Sequence, residues 1–319
     1  MALHPRLRGQ KPRYSAFGHG LYPKVVVRIL RLIGGASGDR KPRLKPNEHG
    51  AFDRQEVRDE IVRLLPQSSI VTRRAVANKM IQRFLQNDAA PGSNAIREIT
   101  PTPFVHLGSH ISDRKTRLQL LLWQLSRVDT LVGGLARYVF FPYLIQARPP
   151  GGWSANEFHV VNGGQLFVID RFITMPFLEE FATREWGFTS RPTLNLAVRI
   201  LTLCGRIENR KRRDMRFNPR VSMLSHETTQ LVAFIYGIYQ EFLPTHTNRD
   251  ISMKQMMEGR FVRTMLIPPE EVDDLIRRGV KYQFFQKGRQ EKKSTRAPSI
   301  RLSCHSLDQI VEKMLKLAF

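Results

Sequence analysis

The spacing of apolar and polar residues over 190–221 predicts an amphipathic helix followed by a short hairpin. Leu194, Val198 and Leu201 fall at i, i+4 and i+7, so they share one face of a helix. Gly205 can adopt the left-handed conformation that ends such a helix. The residues after it carry seven Lys or Arg against two carboxylates, with apolar residues on both sides, as in a hairpin with a charged tip. A helix followed by a basic hairpin is the arrangement of a winged helix-turn-helix.

The elements before this stretch favour the same interpretation. Residues 175–186 predict a helix that ends at Gly187, and the tight turn GFTSRP leads directly into the helix at 190–203. Helix, tight turn, helix and basic hairpin is the order of elements in a winged helix. The alternative is a solvated basic face, because a run of Lys and Arg is often no more than an exposed surface.

Residues 47–147 predict a bundle of four helices. The predicted spans, each with its N-cap, are 52–65 (Asp53), 72–85 (Thr72), 113–128 (Ser112 or Asp113) and 129–144 (Asp129 or Thr130). Glu56, three residues after Asp53, completes a capping box. In a second interpretation, the first two helices form a helix-turn-helix whose second member faces DNA.

The stretch 101–110 between these helices predicts a loop, because Pro101, Pro103 and Gly108 interrupt it. His106 and His110 are four residues apart and would face the same way on a helix. In a loop, these two side chains have no reason to share a ligand.

The chain beyond 154 combines helices with strand pairs. EFHVV and QLFVI flank Asn162-Gly163, which accepts the positive φ angles of a tight hairpin turn. Further helices are predicted at 225–243, 269–278 and 306–317, and two further strands in VKYQFFQKG and SIRLSC. A basic loop joins these last two strands, so a helix and a cationic ribbon occur here for a second time. We therefore predict a second winged helix at the C-terminus.

The predicted fold is mainly α: a helical bundle followed by winged-helix-like α+β modules. The predicted domains are a basic N-terminal arm at 1–46, the helical bundle at 47–147, a winged-helix-like domain at 154–247 and a small α+β module at 248–319. The linker at 148–154 is RPPGGWS. The arm has eleven Lys or Arg and one acid, with one short helix or strand at 22–33. A merely solubilising terminus is the alternative to a phosphate-binding arm.

The charge of the chain indicates a polyanionic partner. Lys and Arg number 51 against 28 Asp and Glu in 319 residues, which gives a net charge of +23 and a pI near 10.8. The cations are spread along the whole chain, which favours nucleic acid over a membrane surface.

The most apolar window, 118–145, is broken by charges, glycines and a proline and predicts core helices, not a membrane span. No signal peptide is predicted, and Cys204 and Cys304 are expected to be reduced in a cytoplasmic, nucleoid-associated protein.

The search for catalytic motifs predicts a protein without enzymatic activity, cofactor or metal. GGASG at 34–38 lacks the Lys-Ser/Thr of a P-loop. Glu291 and Lys293 match the E-x-K element of a nuclease, but no convincing acidic partner precedes them. No nucleophile is accompanied by a base and an orienting third group.

The residues predicted to contact nucleic acid lie on three segments. They are Arg191, Asn195 and Arg199 on the helix, Arg206, Arg210, Lys211, Arg212, Arg213 and Arg216 on the hairpin, and Arg73, Arg74 and Lys79 on the second bundle helix. Arginine suits this task because its planar fork contacts phosphate bidentately and also reads guanine.

Three segments of the chain resemble a known family. They are TRRAVANKMIQRFL, EWGFTSRPTLNLAVRILTLCGRIE, and a pattern formed by Asp113, Leu120, Leu121, Leu122, Trp123, Leu125, Arg127 and Asp129. Together they look like BrxA, the small helical DNA-binding component of bacterial BREX phage-defence systems. The resemblance covers about 47–245 and implies a non-enzymatic binder of double-stranded DNA that works beside a DNA methyltransferase and ATPases. The arm at 1–46, the hairpin near 158–169 and the tail beyond 248 depart from the family, so another defence or mobile-element system is the second interpretation.

Three other functions remain open at this point. An assembly subunit would use its charge for solubility or for docking on an acidic protein. A metal-dependent nuclease would use the ribbon at 281–304. RNA in place of DNA is the third alternative, although the sequence offers no evident exposed aromatic residues for stacking on bases.

Overall fold

The structure, a computed structural model, describes most of the chain. The described residues are 22–34, 44–85, 97–146, 158–161, 164–167, 173–211, 216–219, 221–223, 228–246, 250–288 and 299–317. For 158–167 and 209–230 the description covers the backbone of the helix and strands and not the side chains. Within these residues the chain is mainly helical with small antiparallel sheets, which confirms the predicted class.

The helices follow one another closely along the chain. They are α1 (Pro23–Gly34), α2 (Arg54–Leu64), α3 (Ile70–Met80), α4 (Pro103–His110), α5 (Arg114–Val128), α6 (Thr130–Leu135), α7 (Phe141–Gln146), α8 (Met175–Trp186), α9 (Arg191–Leu203), α10 (Thr228–His246), α11 (Met253–Glu258), α12 (Arg260–Thr264), α13 (Pro269–Lys281) and α14 (Leu307–Leu317). Two π-helical segments, Ile81–Leu85 and Ala136–Phe140, extend α3 and connect α6 to α7.

The strands are short and form four small antiparallel sheets. They are β1 (Phe52–Asp53), β2 (Glu98–Ile99), β3 (Phe158–Val161), β4 (Gly164–Phe167), β5 (Ile173–Thr174), β6 (Ile207–Lys211), β7 (Arg216–Pro219), β8 (Val221–Met223), β9 (Ile251–Ser252), β10 (Phe285–Lys287) and β11 (Ser299–Leu302). The strand orders are β1-β2, β3-β4-β8, β5-β7-β6 and β10-β11-β9.

The same succession of elements occurs three times among the described residues. Each copy begins with a two-residue strand, continues with one helical segment and a second helix, and ends in a strand that pairs antiparallel with the first. We call these copies unit 1 (52–99), unit 2 (173–219) and unit 3 (251–302). In unit 3 the first helical segment is divided at Gly259 into α11 and α12.

The last residue of each initial strand caps the helix that follows. The three caps are Asp53, Thr174 and Ser252. Each side chain accepts a hydrogen bond from the backbone N–H three residues later, so it satisfies one of the free donors at a helix start. The residue before each cap is buried, namely Phe52, Ile173 and Ile251. One short strand therefore anchors each unit to the core and starts its first helix.

The spacing inside the three units is the same up to the second helix. Helices α3, α9 and α13 begin at Ile70, Arg191 and Pro269, in each unit seventeen residues after the cap. In units 2 and 3 the next strand begins at Ile207 and Phe285, thirty-three residues after the cap in both. The repetition is one of element length and burial and not of residue identity.

Units 2 and 3 also share their sheet topology. In both, the last strand lies in the middle, between the first strand and the strand that follows the second helix. Ile173 pairs with Phe217 in unit 2, and Ile251 pairs with Ile300 in unit 3. Unit 1 has the first and last strands of this arrangement, and residues 86–96 between α3 and β2 lie outside the description.

Helix α10 connects the N-terminal helices to unit 3. It packs against α5 on one side and against α12, α13 and α14 on others. The Phe261 ring of α12 lies edge-on to Trp123, with centroids 5.1 Å apart, and to Phe234, at 6.1 Å. Gly237 allows this approach, because a Cβ at that position would overlap the Phe261 ring. The core is continuous across all three units.

A buried hydroxyl ties α10 to the sheet of unit 3. Tyr239 donates a hydrogen bond to the carbonyl of Phe284 and accepts from the backbone N–H groups of Ser303, at 2.8 Å, and Cys304, at 3.1 Å. Burial raises the pKa of Tyr239 above its usual range, so the hydroxyl keeps its proton. The hydroxyl thus fixes the ends of β10 and β11 against the central helix.

A buried ion pair connects the π-helical segment after α3, in unit 1, to the junction between α5 and α6. Arg83 Nη2 lies 3.0 Å from Asp129 Oδ2, and the two side chains are 4% and 1% exposed. Burial raises the pKa of Asp129, while Arg83 opposes that shift. Breaking such a pair by removing one partner is costly, because it leaves an uncompensated buried charge.

Most of the predicted helices and strand pairs are present. The predictions at 52–65, 72–85, 113–144, 175–186, 190–203, 225–243, 269–278 and 306–317 correspond to α2, α3, α5 to α7, α8, α9, α10, α13 and α14, with ends that differ by a few residues. The hairpins near 158–169, 206–216 and 281–304 are confirmed as antiparallel strand pairs. The element at 22–33 is a helix, α1. Residues 1–21 of the arm and the linker at 148–154 lie outside the described residues.

Three local predictions are wrong. Residues 101–110 are not a loop, because Thr102 caps α4 and Pro103 occupies its first turn, where a missing N–H costs nothing. The cap of α3 is Ser69 and not Thr72, whose N–H donates to the Ser69 hydroxyl at 3.4 Å. Phe52 begins a strand, since it pairs with Ile99.

We expect Gly237→Ala to lower the free energy of unfolding by about 1–3 kcal/mol, because the added methyl group must displace the Phe261 ring. Urea denaturation monitored by circular dichroism measures the loss. Phe261→Leu is the matched partner, because a smaller side chain leaves room for the methyl group. The double variant should lose less stability than the sum of the two single losses, and strict additivity would contradict the overlap.

Candidate nucleic-acid interface

Helix α9 has one buried face and one outer face. The buried residues are Leu194, Ala197, Val198, Ile200 and Leu201, and the helix packs against α6 and α8. Asn195, Arg199 and Thr202 fall at i, i+4 and i+7 and define the outer face. Arg199 and Thr202 are exposed, and Asn195 is half-buried. The predicted apolar stripe is therefore the side of α9 that holds it to the protein.

Asn195 and Arg199 are available for an external partner. Neither side chain makes a hydrogen bond or an ion pair with any other residue that the structure describes. Residues four apart on a helix lie about 5–6 Å apart at Cβ, so the two side chains reach neighbouring points of one surface. Asn and Arg are the side chains that pair bidentately with adenine and guanine in the major groove.

Arg191, at the start of α9, has a partner within the protein. Its Nε lies 3.0 Å from Glu179 Oε1 on α8, and its side chain is 58% exposed. Ion pairs this exposed contribute little to stability, so a phosphate can compete for the guanidinium. The contact holds the first turn of α9 to α8.

Arg206 lies at the boundary between units 2 and 3. Its Nη1 donates a hydrogen bond of 2.8 Å to the carbonyl of Met265, in the turn that precedes α13. Burial raises the pKa of Glu271 on α13 to about 8; Arg206 lowers it and Asp274 raises it further. The structure therefore places Arg206 away from the outer face of α9, with a role in joining two units.

The hairpin after α9 is formed by β6 and β7. Its register pairs Ile207 with Pro219 and Asn209 with Phe217, and an irregularity follows Asn209. Arg212 and Arg213 lie outside the described residues, and so do the side chains of Arg210, Lys211 and Arg216. The backbone of the predicted basic hairpin is confirmed, and its contact with phosphates stays a prediction.

The three predicted residues on α3 differ in their surroundings. Arg73 Nη1 donates to the carbonyl of Val62 on α2, at 3.4 Å. Burial lowers the pKa of Lys79, with Arg83 adding to the shift and Asp129 opposing it, so the half-buried ammonium lies in the electrostatic field of the Arg83–Asp129 pair. Arg74 alone of the three is exposed, and its side chain makes no hydrogen bond or ion pair with another described residue.

The other candidate chemistry forms no site among the described residues. His110 Nδ1 lies 2.9 Å from the carbonyl of His106, one turn earlier on α4. No group of three or more His, Cys, Asp or Glu side chains within the described ranges is arranged to hold a metal ion. Glu291 and Lys293 lie outside those ranges.

No protein-family model matches the chain, and comparisons with curated proteins and with solved structures find no significant match.

No single helix in the described part of the chain is long and apolar enough to cross a membrane. Helix α5 and the segment Thr130–Ile145 are together long and apolar enough by length and composition, but the chain bends by 103° between them.

Sequence analysis missed Thr202 on the outer face of α9. Its hydroxyl donates to the carbonyl of Val198 at 2.9 Å, and the residue as a whole is exposed. Helical spacing from Asn195 and Arg199 places Thr202 on the same face, but the predicted residues on α9 were limited to Arg191, Asn195 and Arg199.

We expect the free energy of unfolding to fall as pH rises towards 8, because Glu271 keeps a proton in the folded state that the unfolded chain has already lost above its usual pKa of 4.5. One such proton contributes at most about 1.4 kcal/mol per pH unit. Urea denaturation at pH 5.5 and 8 measures the change. Glu271→Gln removes the titrating group, so the variant should show a weaker dependence; equal slopes for both proteins would contradict the assignment.

Proposed function

We propose that the protein binds double-stranded DNA through unit 2, with α9 in the major groove and the β6–β7 hairpin along the adjacent backbone. The observation that carries this proposal is the outer face of α9, where Asn195 and Arg199 have no partner among the described residues. An amide and a guanidinium on one exposed helical face are the groups that read base edges. The hairpin that follows is rich in Arg and Lys, which suits contacts to phosphates.

The arrangement of unit 2 supports a winged-helix interpretation. Its elements follow the order β5, α8, α9, β6, β7, and Gly187 ends α8 with a φ of 60° so that a short turn leads into α9. In a winged helix, the second helix of the pair enters the groove and the hairpin contacts the backbone beside it. We extend the same fold assignment, without a DNA-binding role, to unit 3.

The net charge of +23 supports DNA as the partner of this face. Each Lys or Arg that neutralises a phosphate releases condensed counterions, so binding weakens steeply as salt rises. For about six phosphate contacts, the loss is about a thousandfold between 50 and 200 mM salt. An assembly subunit that is charged only for solubility would show no such salt-dependent retention on DNA.

The resemblance to BrxA supplies a biological context for the proposal. It implies a non-enzymatic component of a phage-defence system that works with a DNA methyltransferase and ATPases, in the cytoplasm and on the nucleoid. Another defence system or a mobile element is the alternative context. The genes beside the coding sequence distinguish these contexts, because components of one defence system are commonly encoded together.

We expect Asn195→Ala with Arg199→Ala to weaken binding to a preferred duplex by about 10- to 100-fold, since each bidentate base contact contributes about 1–3 kcal/mol of discrimination. Fluorescence anisotropy at fixed salt measures the affinity. Lys316→Ala is the control, because it removes one exposed cation from α14 at the far end of the chain. Equal affinities for the double variant, the control and the original protein would contradict the role of α9.

We expect Arg210, Lys211, Arg212 and Arg213 changed together to Glu to abolish DNA binding without unfolding the protein. The change replaces four cations with four anions on the predicted hairpin, so phosphates are repelled. A gel-shift titration with duplex DNA, single-stranded DNA and RNA at two salt concentrations measures both affinity and preference. Unchanged binding would remove the hairpin from the interface, and tighter binding to RNA would redirect the proposal to that polymer.

A further inference from the structure

The three units differ in the chemistry of the outer face of their second helix. Two positions can be compared directly because the spacing from cap to helix is the same in all three. Twenty-one and twenty-five residues after the cap, unit 2 has Asn195 and Arg199, unit 1 has Arg74 and Asn78, and unit 3 has Asp273 and Arg277. Units 1 and 2 thus carry the same two residue types in opposite order.

We propose that Arg74 and Asn78 on α3 form a second base-contacting pair, so that units 1 and 2 together read two separate stretches of one DNA duplex. This inference rests on the proposed function of unit 2 and extends it to a helix whose predicted DNA-contacting residues were all positively charged. It adds Asn78, an uncharged residue, to the interface. It also predicts recognition of a two-part sequence.

The surroundings of α3 support this assignment. Arg74 is exposed and Asn78 half-buried, and neither side chain makes a hydrogen bond or ion pair with another described residue. Of their basic neighbours, Arg73 donates a hydrogen bond to the Val62 carbonyl, and Lys79 is half-buried. The pair that faces outwards is therefore the one that matches unit 2.

An exposed apolar residue lies beside this pair. Val71 is 73% exposed, and it precedes Arg74 by three residues, which places the two on the same side of α3. The exposed valine gives this side of α3 an apolar group that a partner can contact. In the major groove the methyl group of thymine offers an apolar contact of that size.

Unit 3 shows the opposite chemistry at the same positions. Arg277 Nη2 lies 3.2 Å from Asp273 Oδ2, so the two side chains pair with each other along α13. Asp274 adds a further carboxylate to the same helix, 4.0 Å from each of Arg277 and Arg278. Because these ion pairs neutralise the charge on this face, unit 3 lacks the unpaired guanidinium that we assign to DNA contact in units 1 and 2.

The two reading faces are held in a fixed relation. Helix α5 packs against α9 and also against the π-helical segment that ends α3. The buried Arg83–Asp129 pair fastens that segment to the start of α6, and α6 packs against α9. Because this path runs through packed helices, the distance between the two recognised stretches of DNA should be constant.

The test is selection of binding sequences from a randomised duplex pool by the full chain and three double variants. The full chain should enrich two short sequence elements at a constant spacing. Arg74→Ala with Asn78→Ala should lose one element and weaken binding to the enriched duplex by about 10- to 100-fold. Asn195→Ala with Arg199→Ala should lose the other element. Asp273→Ala with Arg277→Ala is the matched control and should keep both.

The outcomes separate this inference from the proposed function. In one outcome, only the unit 2 variant loses a sequence element, and the unit 1 variant selects the same duplexes as the full chain. In that case α3 does not read bases and the inference fails, while unit 2 remains a DNA-binding module. That result would also fit an α3 face that docks a protein. If the full chain retains no duplex, or binds without enriching any sequence, base reading fails for both units. Arg74→Lys keeps the charge and the fold but loses the bidentate contact, so it should relax selection at one base pair; unchanged selection would count against the proposal.

Discussion

Each unit depends on a two-residue strand at its start. The first residue of this strand is buried in the core, and the second caps the helix that follows. In unit 2, Ile173 pairs with Phe217 in the core while the hydroxyl of Thr174 accepts the N–H of Phe177. A cap of this kind contributes about 1 kcal/mol, but its position matters more than its energy. It fixes where the first helix starts relative to the sheet, and the second helix then begins seventeen residues after the cap in every unit.

The relation between units depends on contacts that are far apart in sequence. The Arg83–Asp129 pair joins unit 1 to the α5–α6 junction, and the hydrogen bond from Arg206 to the Met265 carbonyl joins unit 2 to unit 3. Both guanidiniums belong to a chain with a large excess of positive charge, yet both are used internally. Net charge therefore does not say which cations are exposed, because burial and internal partners decide that for each residue.

Much of the fold could be predicted from local pattern, because apolar spacing and caps act within a few residues. The stripe of Leu194, Val198 and Leu201 identified α9 and its buried face correctly. Phe52 was misjudged because its partner, Ile99, is set by a tertiary contact. The hydrogen bond from Arg73 to the Val62 carbonyl could not be predicted for the same reason. The threefold arrangement was not visible either, since it preserves lengths and buried positions and not residue identity. The contacts of the basic hairpin and the identity of the partner stay predictions.

Unit 3 shows why a shared topology does not by itself assign a shared role. It has the same cap, the same seventeen-residue spacing and the same strand order as unit 2, but Asp273 holds Arg277 along the helix and Tyr239 fixes its sheet to α10. Because the carboxylates of α13 neutralise Arg277, a polyanion gains less there than at the unpaired Arg199. The same arrangement therefore presents unpaired groups in one copy and groups that pair internally in another, and DNA bound as we propose would follow units 1 and 2 and leave the ion-paired face of α13 in solvent.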